Sequence, residues 1–194
     1  MEALVWSDYL CPWCYVGLSR SAQLRRLGVE VVTLPYELHP EIAAGGVASR
    51  GRSAWSAIAA ECDEAGLPFH PPERVPNTRA VLEVAECVRR VWPTAFDALE
   101  SALFRAHFAE GRWLGDPAVV DALVAGAGVD PDEVRRVVAG GEPGEWVDTS
   151  MRVAAEVGVA GTPAWLIERK LLVPGVMPPD FYERVVKKLA AQAT

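Results

Sequence analysis

A Cys-x-x-Cys pair standing where an apolar run hands over to a helix-forming stretch constrains this chain more than any other feature. The residues are Trp6-Ser7-Asp8-Tyr9-Leu10-Cys11-Pro12-Trp13-Cys14-Tyr15-Val16-Gly17. Ala3-Leu4-Val5-Trp6 reads as a short buried strand, and Pro12 suits the first helical position, where a missing N–H costs nothing. A helix from about Pro12 to Leu27 follows. Its free N–H groups and dipole would face the Cys11 sulfur and favour the thiolate, the form that attacks disulfides. Cys14 lies one turn further on the same side.

Such a pair suits two-step exchange. Cys11 attacks a substrate disulfide, and Cys14 releases the mixed disulfide by closing the internal bond. Run backwards, the same steps oxidise a dithiol. Half of a zinc site has the same spacing, but no second C-x-x-C is present, so no metal is expected. Asp8, just before Cys11, would oppose the helix dipole if it faced the sulfur; it is expected to face solvent. Glu37, His39 and Glu41 follow the next strand and are expected in a solvated loop, with proton acceptance at the dithiol as the alternative.

Composition narrows the setting. A chain of 194 residues suits one domain, or one domain with a large insertion. Nineteen basic residues against 26 acidic ones give a net charge of -7, the wrong sign for gripping a phosphate backbone, so nucleic acid is excluded as a partner. Four cysteines (Cys11, Cys14, Cys62, Cys87) are too few for a secreted disulfide scaffold. No leader-like segment precedes the first strand, and no apolar run is long enough to span a bilayer, so a cytoplasmic protein without membrane contact is expected. In that reducing compartment a C-x-x-C is more often catalytic than structural.

Gly28 is placed to stop the first helix, and Val29-Glu30-Val31-Val32-Thr33-Leu34 has the β-branched content of a strand. A right-handed crossover makes the two strands parallel neighbours and leaves Cys11 at the carboxyl end of the first. Gly45 to Gly51 reads as a linker into a helical region. Trp55, Ile58, Ala59 and Cys62 share one helix face that Gly66 ends, which makes Cys62 a packed core thiol. Leu67 to Pro72 is a loop with His70 at the surface. Asn77 caps a helix carrying Val81, Val84, Ala85 and Val88, with Cys87 at its border; Phe96, Leu99 and Leu103 continue the pattern to about Glu110, with His107 as a core or boundary side chain. Asp116-Pro117 and Asp130-Pro131 open two short helices, and another runs from about Glu145 to Glu156. Ala164-Trp165-Leu166-Ile167 and Leu171-Leu172-Val173 form a hairpin, and Pro178-Pro179 opens a last helix with Phe181, Val185, Val186 and Leu189 as its stripe.

Taken together, Cys11-Pro12-Trp13-Cys14-Tyr15-Val16-Gly17, Pro76-Asn77-Thr78, the Leu103 to Gly111 stretch and Gly158-Val159-Ala160-Gly161-Thr162-Pro163 resemble the DsbA-like thioredoxin superfamily, in its FrnE-type cytoplasmic oxidoreductase branch. The resemblance implies an α/β, thioredoxin-like fold (β-α-β, then β-β-α) over residues 1–44 and 157–194, interrupted by an all-helical insertion over 45–156. It also implies a cis proline, Pro163, facing the dithiol, with the backbone of Thr162 open to pair with an extended substrate beside Cys11.

Relatives resembling kappa-class glutathione transferases and 2-hydroxychromene-2-carboxylate isomerases carry serine where this chain has Cys11, which argues against the isomerase activity. In them the helical domain closes over a small ligand, which makes Trp13, Tyr15 and Asn77 candidate pocket walls; for Trp13 and Tyr15 ordinary packing is the alternative. The expected function is thiol-disulfide oxidoreductase, with protein or small-molecule thiols and disulfides as partners. No cofactor is expected, glutathione stands as a small thiol partner, and the oligomeric state is open, a homodimer included. A glutathione-dependent transferase or isomerase acting on an aromatic molecule, and a non-enzymatic metal- or peptide-binding module, are the alternatives.

Overall fold

The computed structural model describes residues 1–49 and 55–191. Strand β1 (Glu2–Ser7) pairs in parallel with β2 (Glu30–Pro35), Ala3 opposite Val31 and Trp6 opposite Leu34, with helix α1 (Pro12–Arg26) as the crossover. Near the end of the chain come β5 (Ala164–Ile167), β6 (Leu171–Pro174) and α8 (Pro179–Ala191). Strand β5 docks antiparallel on the free edge of β1 and carries β6 with it, giving the order β2-β1-β5-β6. The β5–β6 turn holds Glu168 and Arg169 at φ of 52° and 54°, the left-handed geometry that matches the twist of a tight hairpin.

One side of the sheet is sealed by α1 and α8. Leu24, Trp165, Tyr182 and Val186 meet there, with the Trp165 and Tyr182 rings edge to face at 5.5 Å. Tyr182 is the buried centre of the last helix; of the expected stripe Val186 is buried, and Phe181, Val185 and Leu189 are half-buried around it. Helix α1 approaches closely at Gly17, where a Cβ would lie 3.3 Å from the Trp165 ring and 3.6 Å from Pro163. This contact, one turn after Cys14, brings the start of α1 against the strand that follows Pro163.

Between β2 and β5 the chain is mainly helical: α2 (Ser56–Glu64), α3 (Arg79–Val91), α4 (Pro93–Phe108), α5 (Pro117–Gly126), α6 (Pro131–Ala139) and α7 (Glu142–Glu156). Two short strands, β3 (Val47–Ala48) and β4 (Arg74–Val75), pair antiparallel. Part of the expected linker is therefore strand, and its Arg50 and Gly51 lie outside the described residues. The continuous pattern from Asn77 to Glu110 is two helices, because Pro93 cannot continue the ladder and Trp92 turns to φ -127°, ψ 60°. Helix α7 begins at Glu142, earlier than expected, directly after Gly141 at φ 91°. Asp116 and Asp130 cap α5 and α6 through N–H groups two residues on, both at 2.9 Å.

Leu82, Leu99, Leu103, Phe104 and Phe108 form the centre of the helical core, and Tyr9, Cys11, Cys14 and Tyr15 belong to the same cluster. The core of the helices between β2 and β5 thus includes the start of α1. Cys62 and Cys87 are buried in it as free thiols, Cys87 fully inside rather than at its border. Among the described residues no helix is long and apolar enough to cross a membrane.

Candidate active site

Cys11 is the N-cap of α1, with extended backbone (φ -86°, ψ 114°), and Pro12 occupies the first turn. Its carbonyl accepts from the Cys14 N–H at 3.0 Å, which starts the helix and leaves the sulfur over the open N-terminus. The Cys11 thiol pKa is lowered, first by the hydrogen bond from Cys14, against the opposing effect of burial, then by Thr162 and the N–H groups of Cys14 and Trp13. The Cys14 thiol is pushed well up, chiefly by burial and then by the neighbouring Cys11. The two thiol pKa values are therefore shifted in opposite directions, Cys11 down and Cys14 up.

Thr162 closes the site from the other side of the fold. Its carbonyl lies 3.4 Å from Cys11 Sγ, a contact between residues 151 apart in sequence. The Thr162–Pro163 peptide is cis, and Pro163 is packed beside Gly17. The Thr162 hydroxyl is buried and has no fixed hydrogen-bond partner; turned to donate its proton to either sulfur, it favours the anion there. Thr162→Val, nearly isosteric, should therefore raise the pH at which Cys11 becomes reactive to alkylation, while stability changes by less than about 1 kcal/mol. An unchanged alkylation profile would show that the hydroxyl does not act on the sulfur.

Asp8 overturns an expectation: it is 0% exposed rather than solvent-facing. Its Oδ1 accepts from the Leu10 N–H at 3.3 Å and its Oδ2 from the Leu38 N–H at 2.8 Å. The first bond is an Asx turn, which folds Asp8-Tyr9-Leu10 back and tucks the carboxylate inward. Burial pushes its pKa up to about 6, against the lowering effect of those N–H groups. An Asp that opens the tight turn before Cys11 was the available sequence signal; Leu38 as its partner had none.

The other expected residues are spread around this centre. Trp13 is half-buried against the helical core. Tyr15 is buried, stacks on Phe108 at 5.6 Å, and donates its hydroxyl to the Pro68 carbonyl at 2.8 Å. Asn77 stands at the start of α3, where its Oδ1 accepts from the Arg79 N–H at 3.0 Å and its Nδ2 donates to the Ile42 carbonyl at 2.7 Å. Tyr15 and Asn77 line separate cavities, of about 530 Å³ and about 350 Å³. Glu37 is ion-paired to Arg79 at 3.4 Å, and His39 and Glu41 pair with each other at 2.7 Å on the surface.

Two further acids were not singled out from the sequence. Glu86 is buried and held by Arg89 and Arg90, each at 2.6 Å, and Glu100 is buried with its pKa pushed up by desolvation to about 7. His107 is a core residue whose burial lowers its pKa to about 4. Among the described residues no cluster of His, Cys, Asp and Glu is arranged to hold a metal ion.

Residues 3–187 match the family described as DSBA-like thioredoxin domain. No curated protein matches the sequence. Among solved structures, the probable DsbA oxidoreductase of Streptomyces coelicolor superposes with a TM-score of 0.89 at 27% identity, covering 100% of this chain and 92% of that one. The cytosolic disulfide reductase DsbM of Pseudomonas aeruginosa, in a structure with GSH, shares the fold at a TM-score of 0.71 and 19% identity, covering 98% of this chain and 100% of that one. A 2-hydroxychromene-2-carboxylate isomerase shares it at a TM-score of 0.71 and 18% identity, covering 100% and 95%.

Proposed function

The chain belongs to the DSBA-like thioredoxin domain family, and on that footing we propose that it is a thiol-disulfide oxidoreductase of the FrnE-type branch, working through Cys11 and Cys14. The observation that carries this reading is the opposed pair of thiols at the mouth of α1, one pKa lowered and the other raised. In the reducing direction the Cys11 thiolate attacks one sulfur of a substrate disulfide, and the other substrate sulfur leaves as a thiolate. Cys14 then gives up its proton and attacks Cys11 Sγ. The Cys11–Cys14 bond forms, the second substrate sulfur departs, and two electrons have passed to the substrate.

Thr162 and Pro163 form the proposed docking edge, where an extended substrate segment lies beside Cys11 with little demand on its side chains. Trp13 and Tyr15 act by packing the helix start, and Asn77 by fixing the start of α3 on the loop that carries Ile42. Glutathione is the proposed small thiol partner, supported by the DsbM structure of the same fold, which contains GSH. A cytoplasmic setting is the corresponding proposal, and the DsbM neighbour is a cytosolic protein.

Cys14→Ser tests the mechanism directly. The variant should stall after the first attack and accumulate a mixed disulfide on Cys11 when treated with glutathione disulfide, visible as an added glutathione in intact-protein mass. Full turnover without any adduct would remove Cys14 from the role of resolving thiol.

A further inference from the structure

The cavity of about 530 Å³ bordered by Tyr15 has no part in the exchange steps above. It is a groove between α1 and α4, bounded by the loop after α2, and neither Cys11 nor Cys14 lines it. Leu18 and Ala22 of α1 and Leu67 and Pro68 of the loop give it apolar walls, and the Tyr15 hydroxyl ties the loop to the helix through the Pro68 carbonyl. Asp97 meets Arg25 at 3.3 Å, while Arg105 lies at the Tyr15 end, so α4 runs antiparallel to α1 along the groove. From Leu18 to Arg26 the helix advances about 12 Å, enough for two linked aromatic rings and an acid group.

The charge of this groove is the reverse of the chain's. The protein as a whole carries a net charge of -7, yet Arg25 and Arg26 from the end of α1 and Arg105 from α4 all line it. Asp97 offsets Arg25, and Glu110, from outside the groove, offsets Arg105 at 3.1 Å. Arg26 is exposed and has no ion-pair partner among the described residues. Glu100 also lines the groove. Thr33 of β2 is its hydrogen-bond partner, Arg25 favours its charge and Asp97 opposes it, and Tyr9, the other titratable group facing it, keeps its proton because burial pushes the phenol well up. Burial raises the Glu100 pKa to about 7, so below that pH three guanidinium groups stand against two carboxylates and one cation is left over.

We propose that this groove is a binding site for a small organic anion with an apolar body, its acid group on Arg26 and its body along Leu18, Ala22 and Leu67. Concave apolar walls with a few convergent polar groups are the usual make-up of a small-molecule site, and a guanidinium is the side chain best matched to a carboxylate or sulfonate. The site is separate from the dithiol and does not rest on the redox reading. Binding is linked to the proton on Glu100: an anion in the groove favours the neutral carboxyl, and the neutral carboxyl favours the anion by the same factor.

Anilinonaphthalene sulfonate is a suitable probe, because its fluorescence rises on leaving water and its sulfonate stays ionised at neutral pH. With the folded wild-type protein it should bind at one site, at least about threefold more tightly at pH 6 than at pH 8. Arg26→Glu, a change at an exposed position, should weaken binding by about tenfold or more. Glu100→Gln should bind equally at the two pH values, and Cys11→Ser should bind as the wild type does. Absence of binding, wild-type affinity in folded Arg26→Glu, or equal wild-type affinity at both pH values would overturn the proposal. A pH dependence that survives Glu100→Gln, or binding lost in Cys11→Ser, would place the probe elsewhere and overturn it as well.

Discussion

Cys11→Ser should reduce disulfide exchange to the uncatalysed background while leaving the fold in place. A serine hydroxyl at the mouth of α1 stays protonated at neutral pH, and oxygen cannot form the sulfur–sulfur intermediate on which both steps depend. The substitution removes one polarisable atom at a site that is 4% exposed, so unfolding stability should change by about 1 kcal/mol or less. Cys62→Ala and Cys87→Ala provide the contrast. Burial pushes both of those thiols up to about 11, so each is protonated at neutral pH and has no access to a substrate. Exchange should persist in both, measured by reduction of a model disulfide. Turnover by the Cys11 variant at the wild-type rate would defeat the proposed function.

The second large effect is on stability and comes from Glu100. This side chain is 4% exposed, with Thr33 as a hydrogen-bond partner, Arg25 favouring its charged form, and Asp97 opposing it. Burial outweighs the others and holds its pKa near 7, whereas an unfolded glutamate releases its proton near about 4.3. Between those pH values the folded chain binds the extra proton, so the stabilisation is fully present below about pH 4.3 and is lost as pH rises to about 7. At about 1.4 kcal/mol per unit, the full loss is on the order of 4 kcal/mol. Asp8 acts in the same direction over a lower window that ends at about 6. Denaturant unfolding from pH 5 to 8 should show stability falling as pH rises. Glu100→Gln keeps a side-chain amide for Thr33 without a charge to desolvate, and should be the more stable protein at pH 8 with a shallower slope. A slope left intact by that substitution would assign the pH dependence to another group.

Much of the fold was legible because its signals are local. Pro12 at the start of α1, Asp116 and Asp130 as caps before prolines, and the β-branched run of β2 each act within one turn or one strand. The misreadings have equally local causes. Val47–Ala48 is too short a strand to show alternation, and its partner Arg74–Val75 lies beyond an intervening helix. The regular spacing of Leu99 and Leu103 after Val88 concealed the break at Pro93, because both helices bury the same kind of face.

By itself the sequence determined the chemistry that depends on neighbours along the chain: two sulfurs one helical turn apart, a proline that starts the helix beneath them, and strands that place the pair at a sheet end. Tertiary structure alone decided their environment. The Thr162 carbonyl reaches Cys11 across 151 residues, Leu38 donates to the second oxygen of Asp8 from 30 residues away, and the core of the helices between β2 and β5 supplies the burial that pushes the Cys14 thiol up. The reason is physical. Helix starts and strands are encoded by steric and hydrogen-bonding preferences of adjacent residues, whereas desolvation depends on how many atoms from the whole chain crowd one point, and no local pattern records that count.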